Sequence, residues 1–204
     1  MIYSNISGDI HERFITLGSN PPKYVGVDTE TYSLDDTTLL GIGIAFSHNE
    51  AFYITADDEE YLPLAQIVLQ NKSIRKVYHN APFDLRVLRH LAVDVDEVED
   101  TALMARLDME RSAVLEDVSY YAGIRMFDYG RFQTERMGKI LEHYGVKKVI
   151  QLPQEVVADK CIKDAIATLL LYPWYAGYYT YYHPKFSMAY YEKQRRLIGI
   201  LACI

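Results

Sequence analysis

Four acidic residues offer this sequence its clearest chemistry. Asp28 and Glu30 lie in Val27-Asp28-Thr29-Glu30-Thr31, Asp84 in His79-Asn80-Ala81-Pro82-Phe83-Asp84, and Asp164 in Lys163-Asp164-Ala165. Hard divalent cations such as Mg²⁺ prefer carboxylate and water oxygens. Two such ions held about 4 Å apart activate a water and stabilise the leaving oxygen of a phosphodiester. That chemistry needs several carboxylates converging from different elements. Taken singly, each residue has an ordinary explanation. The doublet fits a solvated strand end. Asp84 fits a helix N-terminus, where the macrodipole favours a carboxylate. Asp164 fits a solvated stripe with Lys160 and Lys163. A strand pair and two helix carboxylates together fit a metal centre.

The elements that must position them follow from the hydrophobic pattern. Residues 1–22 are polar and end in Ser19-Asn20-Pro21-Pro22, a helix or loop followed by a turn. Lys23–Thr29, Leu39–Phe46 and Ala51–Thr55 read as strands, the last two joined by a turn at 47–50. In the first of these, alternation puts residues two apart on one face, so Asp28 and Glu30 point the same way. The period then changes. Glu59–Leu69 reads as a helix, Lys76–His79 as a short strand, Pro82–Leu91 as a helix, Val95–Asp100 as a strand and Thr101–Leu107 as the start of a helix. Pro82 falls in a first helical turn, where its missing N–H costs little. Segments near 113–122, 135–143 and 154–171 are helical in pattern, and a last helix runs from about Ser187 to the end. Three strands, then alternating helices and strands, then helices describe an α/β fold, with helices packed on a mixed sheet.

Composition narrows the class. The chain has 204 residues, half of them hydrophobic and 24% charged, which fits one large domain or a domain with an appendage and excludes a disordered or collagen-like chain. A net charge of −7 provides no global basic field, so contact with a polyanion needs a local basic patch or bound metal. The apolar runs Ala165–Tyr172 and Leu197–Ile204 fall short of the roughly 20 residues of a membrane span. The N-terminus carries no basic region ahead of an apolar block, so no signal peptide is expected. Cys161 and Cys203 lie in apolar surroundings without metal-ligand spacing, as buried reduced thiols of a cytoplasmic protein would. Six of the 18 tyrosines fall in Tyr172–Tyr182. With no basic residue among them, that run reads as a packing surface rather than a platform for bases. Gly41-Ile42-Gly43 lacks the third glycine and following helix of a dinucleotide-binding turn.

These motifs, in this order, resemble the 3′→5′ proofreading exonuclease domain of family A DNA polymerases, of the DEDD exonuclease superfamily. The resemblance rests on Val27–Thr31 followed by Ser33-Leu34-Asp35, on His79–Asp84 with an asparagine four before the aspartate, and on Asp164-Ala165 with Thr168-Leu169. Glu99-Asp100-Thr101 before Leu103-Met104-Ala105, and Leu115 through Gly123, also fit. The similarity spans roughly residues 20–200 and implies a ribonuclease H-like mixed β-sheet flanked by α-helices. It further implies two divalent metal ions, Mg²⁺ or Mn²⁺. Asp28 would bridge both, Glu30 and Asp164 would help hold the ion that activates water, and Asp84 would act on the second. The implied substrate is a frayed 3′ end of single-stranded DNA, bound largely without sequence preference. Thr29, Asn80 and Phe83 are the substrate-contact candidates, Phe83 equally a core residue. Arg86, Arg89, Arg131, Arg136, Lys147 and Lys148 are the basic residues available to phosphates, and Tyr120 to Lys148 is the segment expected to grip the strand.

One position departs from the family. A tyrosine four residues before the last aspartate, or in a sister group a histidine five before it, orients the attacking water. Here those positions hold Lys160 and Asp159. Lys160 takes over the water or the scissile phosphate, or a tyrosine from elsewhere substitutes, or the domain is a catalytically impaired DNA-binding support of a polymerase. A ribonuclease of the same superfamily would share the four carboxylates. Residues 23–186 are expected to form the exonuclease domain, with 1–22 an N-terminal segment. Residues 187–204, which end on an apolar run, resemble the lead-in to a polymerase domain.

Overall fold

The computed structural model describes residues 2–4, 10–33, 35–91, 95, 97–107, 112–124, 136–182 and 188–202. Six strands form one mixed sheet: β1 (Ile2–Ser4), β2 (Tyr24–Thr31), β3 (Leu39–Ser47), β4 (Glu50–Thr55), β5 (Arg75–Tyr78) and β6 (Val98–Asp100). Their spatial order is β1-β4-β3-β2-β5-β6. The meander β2–β3–β4 is antiparallel, and β5 and β6 run parallel to β2. The helices are α1 (Ile10–Ser19), α2 (Leu62–Gln70), α3 (Ala81–Arg89), α4 (Thr101–Leu107), α5 (Leu115–Tyr121), α6 (Met137–Tyr144), α7 (Gln154–Tyr182), α8 (Met188–Arg195) and α9 (Ile198–Leu201). Among the described residues, no helix is long and apolar enough to cross a membrane.

The two faces of the sheet differ in side-chain size. Val25, Val27, Ile42, Ile44, Phe46, Phe52 and Ile54 point one way, into a core with Phe14 of α1, Val68 and Leu69 of α2, Leu85 and Leu88 of α3 and Ile198 of α9. The intervening positions Gly26, Gly41, Gly43, Ala45 and Ala51 are small, apart from Tyr53. Over this face lies α7, with Ala158, Cys161, Ala165 and Leu169 in the contact. The fit leaves no room for a side chain. A Cβ on Gly43 would lie 2.8 Å from Cys161 Sγ and 2.9 Å from its carbonyl oxygen. One on Gly26 would run into the carbonyl oxygen of Ala165. Glycine here permits close backbone approach.

The structure extends or shortens several expected elements. Residues 1–22 contribute an edge strand as well as a helix, since Ile2–Ser4 pairs with Phe52–Ile54. The first strand of the meander continues past Thr29 to Thr31, because Glu30 and Thr31 still pair with Gly41 and Leu39 across a bulge. Of the described residues in the expected strand 95–100, Val98–Asp100 join the sheet. The helix expected over 154–171 runs to Tyr182 with Pro173 inside it. Proline removes one helical hydrogen bond, but Tyr172 and Tyr175 continue the helix's buried face against Val77, Met104 and Tyr191. The tyrosine run is therefore packing surface as far as those two residues; the side chains of 178–182 lie outside the described residues.

The expected last helix is two short ones, α8 and α9, and both dock on the domain. Tyr191 is buried, its hydroxyl donating to Glu99 Oε2 at 2.8 Å and accepting from the Asp100 amide at 2.8 Å. Arg195 donates to the Val98 carbonyl at 3.0 Å, and Arg89 to the Ala202 carbonyl at 2.9 Å. Cys161 is buried as expected, whereas Cys203 lies outside the described residues.

Candidate active site

The site begins at the end of β2. Its strand period places Asp28 and Glu30 on the α7 face and the buried Thr29 and Thr31 on the other. The register sets Asp28 opposite Gly43 and Glu30 opposite Gly41. With no side chain at Gly43, α7 comes down close beside the doublet. Cys161 of α7 reaches to 3.5 Å from the Asp28 carbonyl oxygen. Ligand atoms of Asp28, Glu30 and Cys161 all lie within 4.8 Å of one another.

Asp84 arrives from the opposite face. Helix α3 starts after Asn80, whose φ of 78° is left-handed. Asparagine tolerates that conformation better than most residues, and Asp100 stabilises it. The Asp100 carboxylate accepts from the amides of Asn80 at 3.0 Å and Ala81 at 3.2 Å, and caps α4 through Ala102 at 2.9 Å. This turn aims Asp84 at β2, where its Oδ1 accepts from the Thr29 hydroxyl at 2.7 Å and the Thr29 amide at 3.0 Å. Thr29, expected to contact substrate, is thus buried and bonded to Asp84. Asn80 is exposed and Phe83 half-buried. His79 is held by Thr101 Oγ1 at 2.8 Å and donates from Nε2 to the Ala113 carbonyl at 2.8 Å, joining the end of β5 to the start of α5.

Asp164 arrives on α7. It is 7% exposed, and Lys160, one turn earlier, is 6% exposed and paired with its Oδ2. The solvated stripe of three charges does not form. Lys163 turns outward to pair with Asp159, and Lys160 and Asp164 turn inward. Arg136 is engaged with Asp117 at 2.9 Å, Arg86, Lys147 and Lys148 are exposed, and Arg131 lies outside the described residues.

The four carboxylates feel one another. Burial, then Asp164, Glu30 and Asp84, push Asp28 well above the usual carboxylate range. Burial is also the largest influence on the other three, raising Glu30 to about 8, Asp84 to about 7 and Asp164 to about 6. Lys160 opposes this at Glu30 and Asp164, and the Thr29 hydrogen bonds oppose it at Asp84. For Lys160 itself, burial favours the neutral amine, but Asp164, Glu30 and Asp28 outweigh it and hold the ammonium above its ordinary range. Asp164 Oδ1 is buried and has no hydrogen-bond partner among the described residues. Crowded carboxylates with one bare buried oxygen fit a hard divalent cation.

A pH dependence follows. Carboxylates raised in the folded state bind more protons there than in the unfolded chain. Their contribution to stability is complete below the ordinary value near 4 and is lost as pH rises through about 6 to 8. Burial lowers His79, which titrates in the opposite sense at lower pH, so the clean window is pH 7 to 9. In EDTA the melting temperature should fall by several degrees across that window, at roughly 2–4 °C per kcal/mol for a domain of this size. Millimolar Mg²⁺ should remove most of the fall. A flat or rising melting temperature in EDTA would contradict the crowded-carboxylate account.

Similarity to known proteins agrees with this geometry. Residues 8–172 match the family model described as 3′-5′ exonuclease, of the family A DNA polymerase type. DNA polymerase I of Synechocystis sp. is 32% identical over 166 residues, which cover 72% of this chain and 16% of that protein. The chain thus spans about a sixth of that polymerase's length. Brucella melitensis NrnC bound to pGG superposes with a TM-score of 0.69 at 16% identity, over 91% of this chain and 86% of that one. Trypanosoma brucei RNase D does so with a TM-score of 0.60 at 16% identity, over 83% and 63%. The mixed sheet and its helices are therefore the ribonuclease H-like exonuclease fold, and the chain belongs to the DEDD-type 3′-5′ exonuclease domain family of family A DNA polymerases.

Proposed function

We propose that this chain removes nucleotides from the 3′ end of single-stranded or frayed DNA by metal-dependent phosphodiester hydrolysis, proofreading for a family A polymerase. The observation that carries the reading is the convergence of four carboxylates, from β2, α3 and α7, on one partly buried site. Asp28, Glu30 and Asp164 are the residues to hold the cation that activates water, and Asp28 and Asp84 a second. Divalent cations bound there supply a nucleophilic water and neutralise charge on the leaving oxygen.

The chain's own residues do the positioning. Thr29 fixes Asp84 by two hydrogen bonds, and hydrogen bonds to charged groups stabilise by about 1.5–3 kcal/mol each. Lys160 fixes Asp164 and carries a positive charge that can also face the scissile phosphate. Asn80, which is exposed, and Phe83, half-buried at the start of α3, would meet the terminal nucleotide. Tyr120 and Tyr121 at the end of α5 are 68% and 59% exposed and offer ring faces to unpaired bases.

An RNA substrate is the second reading, supported by the likeness of the fold to an RNase D. The test uses 5′-labelled single strands of DNA and RNA of one sequence, with Mg²⁺, with Mn²⁺ and with EDTA. A metal-dependent ladder shortening from the 3′ end of DNA, at least about tenfold faster than of RNA, is expected. Faster shortening of RNA would favour the ribonuclease. Binding without cleavage under either metal would overturn the enzyme in favour of a DNA-binding support.

A further inference from the structure

We propose that Lys160 is a positioning residue that divides Asp164 between itself and a divalent cation, and so sets how tightly the site loads its metal. The proposal rests on reading the site as a metal centre. Lys160 and Asp164 are one helical turn apart, so both side chains leave α7 on the same side, and both are nearly buried. The ammonium takes Oδ2. The other oxygen, Oδ1, is buried and, among the described residues, bare. An ionised carboxylate with one satisfied and one unsatisfied oxygen in a buried place is incomplete, and a cation is the partner that completes it.

Lys160 cannot itself ligate the metal, because a protonated amine has no lone pair to offer. Its influence is electrostatic. The ammonium also acts on Glu30 and Asp28, so it lies within the field of the whole cluster. It partly neutralises the carboxylates when no metal is bound, and it repels an incoming divalent ion. A buried cation therefore keeps the empty cluster folded at the expense of metal affinity. The second i,i+4 pair of this helix provides the contrast. Lys163 and Asp159 face outward, with Asp159 59% exposed, where solvent screens the charge.

The test is calorimetric titration of the full chain with Mn²⁺, alongside thermal melts with and without the metal. Lys160→Met keeps an unbranched side chain one atom shorter and removes its charge. It should bind Mn²⁺ at least about tenfold more tightly than wild type. Its metal-free melting temperature should be lower and the rise on adding Mn²⁺ larger. Lys160→Arg should stay within about threefold of the wild-type affinity, because the charge remains, and Lys163→Met should do the same. A structural role alone would lower stability without tightening metal binding. Unchanged or weaker Mn²⁺ binding by Lys160→Met would overturn the proposal. Should that variant not fold, Lys160→Gln makes the same comparison, keeping a hydrogen-bond donor for Asp164 without the charge.

Cleavage of labelled DNA, run in parallel, separates this proposal from the nuclease reading. Tighter metal binding by Lys160→Met with no wild-type cleavage would defeat the nuclease and leave the role of Lys160 standing. Wild-type cleavage with unchanged metal affinity in the variant would do the reverse.

Discussion

Asp28→Asn should give a chain that is more stable than wild type without metal and does not shorten a labelled strand. The two effects have one cause. Asp28 is held among Asp164, Glu30 and Asp84 in a poorly solvated place, and each of these raises the free energy of its charged form. The amide is nearly the same size and carries no charge, so the repulsion disappears. A gain of about 1 kcal/mol, or roughly 2–4 °C in melting temperature in EDTA at pH 8, is expected. On the proposed function, the same change removes a carboxylate that would hold metal. Loss of one well-placed electrostatic group costs about 10²–10³ in rate, and one that holds metal should cost at least that. Stability gained where activity is lost marks a site strained for function. Equal loss of stability and activity would mean that Asp28 is structural. Retained cleavage would remove it from the chemistry.

Gly26→Ala should be the most damaging single-methyl addition in the sheet. The new Cβ would strike the Ala165 carbonyl oxygen and lie 2.8 Å from Leu169 Cβ and 3.0 Å from its backbone nitrogen. Two of these three atoms belong to the helix backbone, which cannot turn aside as a side chain can. The helix must lift from the sheet, and α7 carries Asp164 and Lys160. Overpacking a well-filled core costs about 1–3 kcal/mol, and here the upper end or beyond is expected. That corresponds to roughly 6–12 °C in melting temperature. Because the displaced helix carries Asp164, a proposed metal ligand, Mg²⁺ should no longer restore stability at pH 9. Gly138→Ala is the control, since among the described residues its Cβ would meet nothing within 4 Å and it lies in α6. Alanine there should be neutral or stabilising by up to about 1 kcal/mol. A Gly26→Ala protein as stable as wild type would contradict the close packing of α7 on β2.

Both predictions turn on residues that the sequence displays with unequal clarity. The Asp28–Glu30 doublet is legible because a strand's period of two fixes the face without knowledge of the rest of the chain. Asp84 is legible as a helix-start residue from Pro82, but its partner Thr29 lies 55 positions away and has no local signal. Asp164 is the least legible. With Lys160 and Lys163 beside it, local pattern describes a solvated stripe, and only the surface against which α7 packs decides that Lys160 turns inward and Lys163 outward. Cys161 reads as a buried thiol, and it is one. Its approach to Asp28 and Glu30 depends on Gly43, opposite Asp28 in the register.

The glycines show the same division. The string Leu39–Phe46 displays its alternation of small and large residues openly, and with it a sheet with one bulky and one flat face. It does not say which helix occupies the flat face. Local periodicity by itself determined the meander, the change to helices and strands, and the direction of the carboxylate pair, because those depend on neighbours within a few residues. The motifs and their order determined the family. Tertiary structure alone decided that α7 lies flat on Gly26 and Gly43, that Thr29 holds Asp84 from behind, and that Lys160 is buried beside Asp28 and Glu30. Each is a contact between residues far apart in the chain, where burial and mutual charge, rather than local preference, set the outcome.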